Sequence, residues 1–461
     1  MDLSLEILRW LSSTQIDAAA QAIPILTLSI SAAPNLDSLG LERQYVQTET
    51  RLLDLLGTFR ARPAEETVAQ AISVGQRIGI TRLANVTGLD VLGIPTWVAI
   101  RPLSRSLTVS QGKGISHSLA KASALMESIE LYHAEMCVPN GIFESMAGAL
   151  AAGEHRFVNP FDLPINRSFS GAATSKFEWI AAKSLLDGQI RYVPRHMICL
   201  DGVNAPRMPV PFISSGNGLA SGNTLEEAML HAVCEVIERD QYTFWLVGRI
   251  GSSDVPGTKL ALDSVCDQVS SDLISLIRKC GLDIFVWYAT TNIGLPVFAC
   301  TIADICSVTP YPQRASGYGC HFSKRIALSR AITEAVQSRL THITGSRDDS
   351  GWQKYRENLP STTPLNKDWL AAMKAEAEVV DFNNISELPE ARTPIEAVEI
   401  MQAELRFCGL PEILYVDLTQ PELQVPVCHI TVPGLEYNMK KENYTPSNRM
   451  IQYLADSGIK V

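Results

Sequence analysis

The chain has no excess of positive charge and no long apolar run. Its 461 residues include 39 Lys and Arg against 49 Asp and Glu, a formal net charge of −10. A protein that holds nucleic acid by a general basic field is therefore excluded. The apolar run at 22–33 is shorter than the roughly 20 residues that a membrane-spanning helix needs. Asp2 and Glu6 stand where a secretory signal is basic, so we predict a cytoplasmic protein. The charge and the short apolar run together predict that neither nucleic acid nor a membrane is a partner.

Several familiar sites are missing as well. The ten cysteines form no CxxC pair, which argues against zinc or an iron–sulfur cluster and favours reduced, buried thiols. The sequence has no GxxxxGK[ST] loop, no GxGxxG after a strand, no kinase HRD and DFG pair, and no GxSxG elbow. If this chain binds a nucleotide, it must do so with an architecture that lacks a P-loop.

The composition and the residue patterns that are present predict a globular α+β protein. Hydrophobic residues make up 46% of the chain and charged residues 19%, which is enough apolar mass for a large core. Apolar spacing predicts three long helices, over 116–135, 224–246 and 323–343. Short strands are predicted over 96–101, 106–110, 283–289, 296–302, 414–416 and 427–432, with a Gly-rich bend at 111–114. Asp187-Gly188 predicts a hairpin of 177–185 with 190–198. We therefore expect mixed and antiparallel sheets packed with long helices.

Two of these helices carry clustered carboxylates. On one face of the apolar second helix lie Glu227, His231, Glu235 and Glu238. The first helix similarly presents Ser123, Glu127 and Glu130. Clustered carboxylates repel one another unless a cation lies among them, and oxygen ligands favour hard cations such as Mg²⁺. The alternative for the glutamates is a solvated face, whereas for His231 a satisfied core histidine is the favoured interpretation.

Other signals on the second and third helices are less specific. Thr224 followed by Glu227 predicts a capping box at the start of the second helix. The third helix supplies cations that suit phosphate, namely Arg325, Arg330 and Arg339. These arginines could instead pair with Glu334 or face solvent. A metal-dependent hydrolase would require His or Asp ligands, which the sequence does not place.

Three segments, 79–135, 216–240 and 327–349, resemble the YcaO family. The similarity covers about residues 55–440 and includes the specific patterns SxxxExxE and ExxxxxxxExxER. It implies an ATP- and Mg²⁺-dependent enzyme whose ATP site lies between sheets and helices, without a P-loop. It also divides the chain into a helical lead-in at 1–54, a catalytic domain at 55–440 and a tail at 441–461.

The resemblance assigns roles to individual residues. It implies nucleotide contacts from Arg60, Thr67, Ser123, Glu127, Asn223, Glu227, Arg239 and Arg339. It implies magnesium ligands at Glu127, Glu130, Glu235 and Glu238. It implies roles in catalysis for Glu130, Arg239 and Arg339. Leu131 stands where the first motif usually has an arginine.

The same resemblance implies the chemistry. An amide oxygen of a peptide backbone receives the γ-phosphoryl group, a nucleophile adds to the amide carbon, and phosphate leaves. A Cys, Ser or Thr side chain as nucleophile gives a thiazoline or oxazoline, and sulfide gives a thioamide. The expected substrate is the precursor peptide of a ribosomally made natural product.

Two features bear on the subgroup. The chain ends in SGIKV, without the proline-rich tail of azoline-forming members. Some family members are encoded beside a TfuA-type protein and are associated with thioamides. This chain is similar to them in two segments, SRSLTVSQGKG and VPGLE at 432–436. We therefore expect a TfuA-like or leader-peptide-binding partner, and the apolar lead-in could serve a homodimer. The alternative is a non-catalytic accessory protein, for example in ribosomal-protein methylthiolation, which would not release phosphate in response to peptide.

Overall fold

The computed structural model describes residues 50–137, 141–153, 156–166, 174–204, 210–251, 258–304, 313–349, 351, 370–371, 373–374, 379–437 and 445–456. The predicted helical lead-in lies outside the described residues up to position 49. In the part of the chain that is described, no helix has both the length and the apolar character needed to span a membrane.

Long and short helices alternate with short strands along the chain. The helices are α1 Ala64–Arg77, α2 His117–Glu135, α3 Met146–Ala152, α4 Arg195–Ile198, α5 Leu225–Gly251, α6 Gln268–Lys279, α7 Lys324–Thr344, α8 Pro394–Phe407 and α9 Asn448–Asp456. The strands are β1 Leu53–Asp54, β2 Phe59–Arg60, β3 Arg82–Asn85, β4 Thr96–Ile100, β5 Val109–Lys113, β6 Ile142–Ser145, β7 Lys176–Ser184, β8 Ile190–Pro194, β9 Leu219–Ser221, β10 Thr258–Leu260, β11 Asp283–Tyr288, β12 Val297–Ala303, β13 Arg314–Cys320, β14 Val379–Val380, β15 Leu414–Asp417 and β16 Val427–Thr431.

The described strands form four sheets. Their orders are β1-β2, β3-β4-β5, β13-β12-β11-β10-β14, and β6-β7-β15-β16-β9 with β8 paired to β7. Among these strands only β10 and β14 pair in parallel. The predicted α+β class is confirmed, and the three predicted long helices correspond to α2, α5 and α7, with α5 continuing to Gly251.

The five-stranded sheet is buried on both faces. Side chains alternate along β11, so Phe285 and Trp287 pack with α5 and α8 in one core cluster. Ile284 and Val286 point the other way and pack with α6 and α7 in another. This period-two alternation is what a strand covered on both faces requires, and it fixes α5 and α7 on opposite sides of one sheet.

One predicted strand is displaced. The sequence predicts a strand over 106–110 and a bend over 111–114, whereas β5 runs from Val109 to Lys113 and includes Gly112. A Cβ at Gly112 would lie 2.1 Å from the carbonyl oxygen of Ala120. Glycine is therefore present because α2 lies directly on the strand, not because the chain turns there.

The predicted hairpin is confirmed for β7 and β8, but its second arm is shorter than expected. The prediction carries the strand to Ile198, whereas β8 ends at Pro194 and a helical turn, α4, follows. Pro194 has no N–H to donate to a ladder, and its fixed φ suits the start of a helical turn.

Candidate active site

A cavity of about 860 Å³ lies between α2, α5 and α7. Ten of the eleven residues to which the sequence analysis assigns a role line it: Arg60, Thr67, Ser123, Glu127, Glu130, Asn223, Glu227, Glu235, Glu238 and Arg239. The structure therefore brings together side chains that are up to 179 positions apart, from Arg60 to Arg239. The cavity also contains basic residues that the sequence analysis did not assign, among them Lys113 and Arg330.

Backbone N–H groups orient the carboxylates of α2. Oε2 of Glu127 accepts a hydrogen bond of 3.2 Å from the N–H of Gln111 in β5. Oε2 of Glu130 accepts a bond of 2.9 Å from the N–H of Ser221 in β9, and the Ser221 hydroxyl adds a second at 3.3 Å. A hydrogen bond to a carboxylate restricts its rotamers, so the strand edges fix where the two acids point.

The strand β13 orients two more carboxylates in the same way. Oε2 of Glu238, on α5, accepts a bond of 3.1 Å from the N–H of Cys320. Oε1 of Glu334, on α7, accepts a bond of 3.3 Å from the N–H of Tyr318. Acidic groups from α2, α5 and α7 are thus all held against strand edges around one space.

The three helices share one register. Their N-terminal caps are Ser116, Thr224 and Ser323. Eleven residues after each cap stands a cavity glutamate: Glu127, Glu235 and Glu334. Fourteen residues after each cap stand Glu130, Glu238 and Gln337, which also line the cavity. The site is therefore built from three strand–turn–helix units that contribute equivalent positions.

Hydrogen bonding repeats with the same register. Ser221 and Cys320, the donors to Glu130 and Glu238, each lie three residues before the cap of the following unit. The third contact differs from these two: Nε2 of Gln337 donates to the carbonyl oxygen of Gln111, which lies five residues before the cap Ser116. Each unit therefore binds the helix of another, which closes the three around the cavity.

Burial makes the carboxylates difficult to ionise. Burial raises the pKa of Glu127 to about 7 and that of Glu235 to about 7. Burial, with the charges of Glu235 and Glu127, raises the pKa of Glu130 well above its usual range. A cation bound among these carboxylates would offset the cost of burial and favour their ionised forms.

Several cationic side chains face these acids, including Arg347, whose charge acts on Glu127. Arg239 lies 3.7 Å from Glu235 and 3.9 Å from Glu238. Lys113 forms an ion pair with Glu334. The Nε of Arg330 is buried without a hydrogen-bond partner among the described residues. A buried guanidinium N–H without an acceptor is suited to an anionic ligand such as phosphate.

A polar network joins α1 to the start of α5. The Thr67 hydroxyl donates to Oδ1 of Asn223 at 2.8 Å, and Nδ2 of Asn223 donates to Glu227 at 3.0 Å. Oε2 of Glu227 also accepts from the N–H of Ala61 at 2.9 Å, and Arg60 lies 3.8 Å away. These residues form the end of the cavity that the sequence analysis associates with nucleotide contacts.

The predicted capping box is half correct. The N–H of Glu227 donates to the Thr224 hydroxyl at 3.1 Å, as a cap requires. The Glu227 carboxylate does not return to Thr224, because Ala61 and Asn223 already bind it at the cavity.

Arg339 does not line the cavity. Its Nε donates to both carboxylate oxygens of Asp90, at 3.0 and 2.9 Å, and its Nη2 donates to Oδ2 of Asp304 at 3.1 Å. Its side chain is only 3% exposed. The structure thus gives Arg339 a place in the fold between two aspartates, where the sequence analysis expected a phosphate contact.

His231 also departs from expectation. The sequence predicts a core histidine, whereas His231 lines the cavity. Burial lowers the pKa of His231 well below its usual range, and Arg330 and Arg60 lower it further. The imidazole is therefore neutral at physiological pH and contributes a hydrogen-bonding ring rather than a charge.

Over residues 111–436 the sequence matches the family model described as YcaO cyclodehydratase, ATP- and Mg²⁺-binding. The chain belongs to the YcaO family. A relative from Rhizobium leguminosarum bv. trifolii, described as an uncharacterized protein in the tfuA 3′ region, is 32% identical over 371 residues. The match covers 78% of this YcaO chain and 84% of that protein. The predicted family is confirmed.

Solved structures show the same fold. A YcaO from Methanopyrus kandleri bound with AMPPCP and Mg²⁺ gives a TM-score of 0.64 at 20% identity, covering 84% of this chain and 95% of that one. A heterocyclase in complex with substrate and cofactor gives 0.64 at 22% identity, covering 82% of this chain. This chain spans 53% of the length of that heterocyclase. The predicted YcaO fold is confirmed.

The residues present fit the ATP and Mg²⁺ of the family description. Within the described ranges, no three His, Cys, Asp or Glu side chains are close enough to hold a metal ion by themselves. Mg²⁺ usually takes only one or two carboxylates and completes its shell with phosphate oxygens and water. The acids that would hold it here are Glu127, Glu130, Glu235 and Glu238. The donor set thus suits a cation that arrives with a triphosphate.

Two cavity residues of this YcaO chain, Lys113 and Glu334, were missed by the sequence analysis, and Arg330 was named only as one of three arginines. The shared register would have found Glu334, because it lies eleven residues after its cap, as Glu127 does. Arg330 lies one helical turn before Glu334 and therefore on the same face. Lys113 carries no comparable signal, since a lysine after a glycine is common on protein surfaces.

Proposed function

We propose that this chain is an ATP- and Mg²⁺-dependent enzyme that activates backbone amides of a peptide. The observation that carries the proposal is the charge arrangement of the cavity. Buried carboxylates with raised pKa values face Arg239 and the unpartnered Nε of Arg330. A triphosphate bound with Mg²⁺ would satisfy the acids and the arginines together.

The chemistry follows from the weakness of the amide oxygen as a leaving group. Transfer of the γ-phosphoryl group of ATP to that oxygen, followed by addition of a nucleophile to the amide carbon, allows the oxygen to leave as phosphate. In this proposal, Arg239 and Arg330 bind phosphate oxygens as charge develops. Mg²⁺, when bound, neutralises part of the triphosphate charge. Because Ser221 binds Oε2 of Glu130, Oε1 is the oxygen available for a metal or a proton.

Phosphate release with the precursor peptide encoded beside the gene tests the proposal. Glu127→Gln and Glu238→Gln remove cavity charge with little change in shape and should each lower peptide-dependent phosphate release by about a hundredfold. Glu226→Gln is the matched control, because Glu226 is on α5 but does not line the cavity. Unchanged release in both cavity variants would refute catalysis. AMPPCP binding without any peptide-dependent release by the natural chain would instead support the accessory-protein alternative.

The nucleophile separates two products. We propose sulfide, and hence a thioamide, because a relative lies in a tfuA 3′ region. An azoline from a Cys, Ser or Thr side chain is the second candidate. Mass spectrometry of the co-expressed peptide distinguishes them: exchange of one oxygen for sulfur marks the thioamide, and loss of one water marks the ring.

A partner protein completes the proposal. The tfuA-region relative supports a TfuA-like partner, while a leader-peptide-binding protein is the alternative. Co-purification with each candidate, with and without peptide, tests this.

Three further predictions remain: a homodimer, a catalytic domain at 55–440 and a cytoplasmic location. Sedimentation of the purified chain tests the homodimer.

A further inference from the structure

The segment that follows β16 forms part of the cavity wall. Tyr437 lines the cavity, and its hydroxyl is hydrogen bonded to that of Ser215, another lining residue. Burial raises the pKa of the Tyr437 hydroxyl, and the charge of Glu235 raises it further. The phenol is therefore protonated and lies within electrostatic range of a cavity carboxylate.

The C-terminal helix α9 holds this segment from behind. Arg449 donates from Nη1 to the carbonyl oxygen of Gly434 at 3.1 Å and from Nη2 to Oδ2 of Asp240 at 2.5 Å. Oδ1 of the fully buried Asp240 accepts the N–H of Glu436 at 2.7 Å. One carboxylate thus binds both α9 and the residue immediately before Tyr437.

Further contacts fix α9 in place. Glu436 accepts hydrogen bonds from the N–H of Ser447, at 3.0 Å, and from its hydroxyl. The Arg449 guanidinium lies 4.6 Å from the ring centroid of Phe244 on α5. Asp240 directly follows Arg239 in α5. Arg239 therefore lines the cavity while its neighbour Asp240 binds α9.

Part of the cavity lining is apolar, although the charges of Arg239 and Glu235 both act on Tyr437. Leu131 and Leu219 form an apolar cluster with Leu107 and Leu200, and all four line the cavity. Leu219 follows the loop that contains Ser215. Leucines and hydroxyl groups suit a neutral peptide backbone with apolar neighbours, whereas phosphate requires cations.

We propose that Tyr437 contacts the acceptor peptide amide and that Arg449 is the positioning residue that holds Tyr437 there. The class of ligand, a neutral peptide segment, rests on the proposed function. The clamp itself rests only on the contacts between α9, Asp240 and residues 434–437. The motif VPGLE then has a physical role: it carries the chain from β16, past the Arg449 clamp, to a tyrosine in the cavity.

Hydrogen–deuterium exchange tests the clamp without any substrate. In Arg449→Met, amides of 212–219 and 434–437 should exchange about tenfold faster, while those of 123–130 should not change. Gln452→Met is the matched control, since Gln452 is exposed on the same helix. Unchanged exchange at 212–219 and 434–437 in Arg449→Met would overturn the clamp.

Kinetics test the acceptor role. Tyr437→Phe should raise the KM for the precursor peptide by about tenfold, the loss expected for one hydrogen bond, and leave the affinity for AMPPCP with Mg²⁺ unchanged. Arg449→Met should likewise raise the KM for the peptide and leave the affinity for AMPPCP with Mg²⁺ unchanged, and Arg449→Lys should reverse part of the rise in KM. The KM of the double variant, Tyr437→Phe with Arg449→Met, should be no higher than that of the more affected single variant. Tyr415→Phe is the control, because Tyr415 does not line the cavity.

The outcomes separate the two proposals. If the natural chain shows no peptide-dependent phosphate release, the proposed function fails and the exchange experiment alone decides the clamp. If the natural chain is active but Tyr437→Phe leaves the KM unchanged, or lowers AMPPCP affinity by the same factor, the acceptor assignment is overturned. Additive losses in the double variant would overturn the link between Arg449 and Tyr437.

Discussion

Lys113 and Glu334, 221 positions apart in the sequence, form an ion pair inside the cavity. Lys113 ends β5 of the first strand–helix unit, and Glu334 lies in α7 of the third. Burial opposes ionisation of Glu334, but the charges of Lys113 and Arg239 outweigh it and lower the pKa of this carboxyl. The pair therefore keeps one cavity acid ionised and joins two of the three units.

Removing Lys113 should destabilise the fold. Lys113→Met leaves a largely buried carboxylate among other acids, and the free energy of unfolding should fall by about 2 kcal/mol. Urea denaturation at pH 8 without Mg²⁺ measures this. The double variant with Glu334→Gln should recover most of the loss, because no unpaired charge remains. Equal stability of Lys113→Met and the natural chain would show that the pair contributes nothing.

Arg339 should matter for stability rather than for nucleotide binding. Arg339→Met leaves Asp90 and Asp304 without their shared cation, which should lower the free energy of unfolding by about 3 kcal/mol. Affinity for AMPPCP with Mg²⁺, measured by calorimetry on the folded variant, should be unchanged. Arg325→Met, which removes an exposed pair with Asp54, should cost less than about 1 kcal/mol. A large loss of AMPPCP affinity on replacing Arg339 would contradict this assignment.

Arg330 should behave in the opposite way. Its buried Nε has no hydrogen-bond partner among the described residues, and its charge alone acts on nearby acids such as Glu238, so Arg330→Met should lower the free energy of unfolding less than Arg339→Met does. The same change should weaken AMPPCP binding with Mg²⁺ by about tenfold or more, since it removes a charged donor to phosphate. Calorimetry checks this, with Arg330→Lys expected to retain part of the affinity. Undiminished binding in Arg330→Met would count against a phosphate contact.

His429 should make the fold sensitive to acid. Burial lowers the pKa of His429 to about 4, whereas the unfolded chain protonates this ring near pH 6.5. The contribution to stability is therefore complete above pH 6.5 and is lost as the pH falls towards 4, by about 3 kcal/mol. Comparing urea denaturation of the natural chain and His429→Gln between pH 7.5 and pH 4 isolates this term. A pH-independent difference between them would disprove the assignment.

Local patterns predicted much of this protein because they depend on short stretches of chain. Apolar spacing located α2, α5 and α7 to within a few residues, and carboxylate spacing on two helices indicated the cavity face. These signals survive folding because a helix fixes the relative directions of residues three and four apart. The bend expected at 111–114 was wrong because glycine has two uses, and only the helix lying on β5 shows which applies.

Arg330 and Arg339 show where local patterns end. The two residues are nine positions apart on α7 and therefore lie on nearly opposite faces of the helix. As arginines they have the same side-chain chemistry, so residue type does not tell them apart. The aspartates that bind Arg339 come from positions 90 and 304, far away in the sequence. Spacing within single elements was enough to predict the family, the α+β class and the clustered acids. Tertiary structure alone shows which arginine faces the cavity, that Lys113 joins the acids, and that α9 supports Tyr437. Each of these depends on contacts between segments that are distant in the sequence.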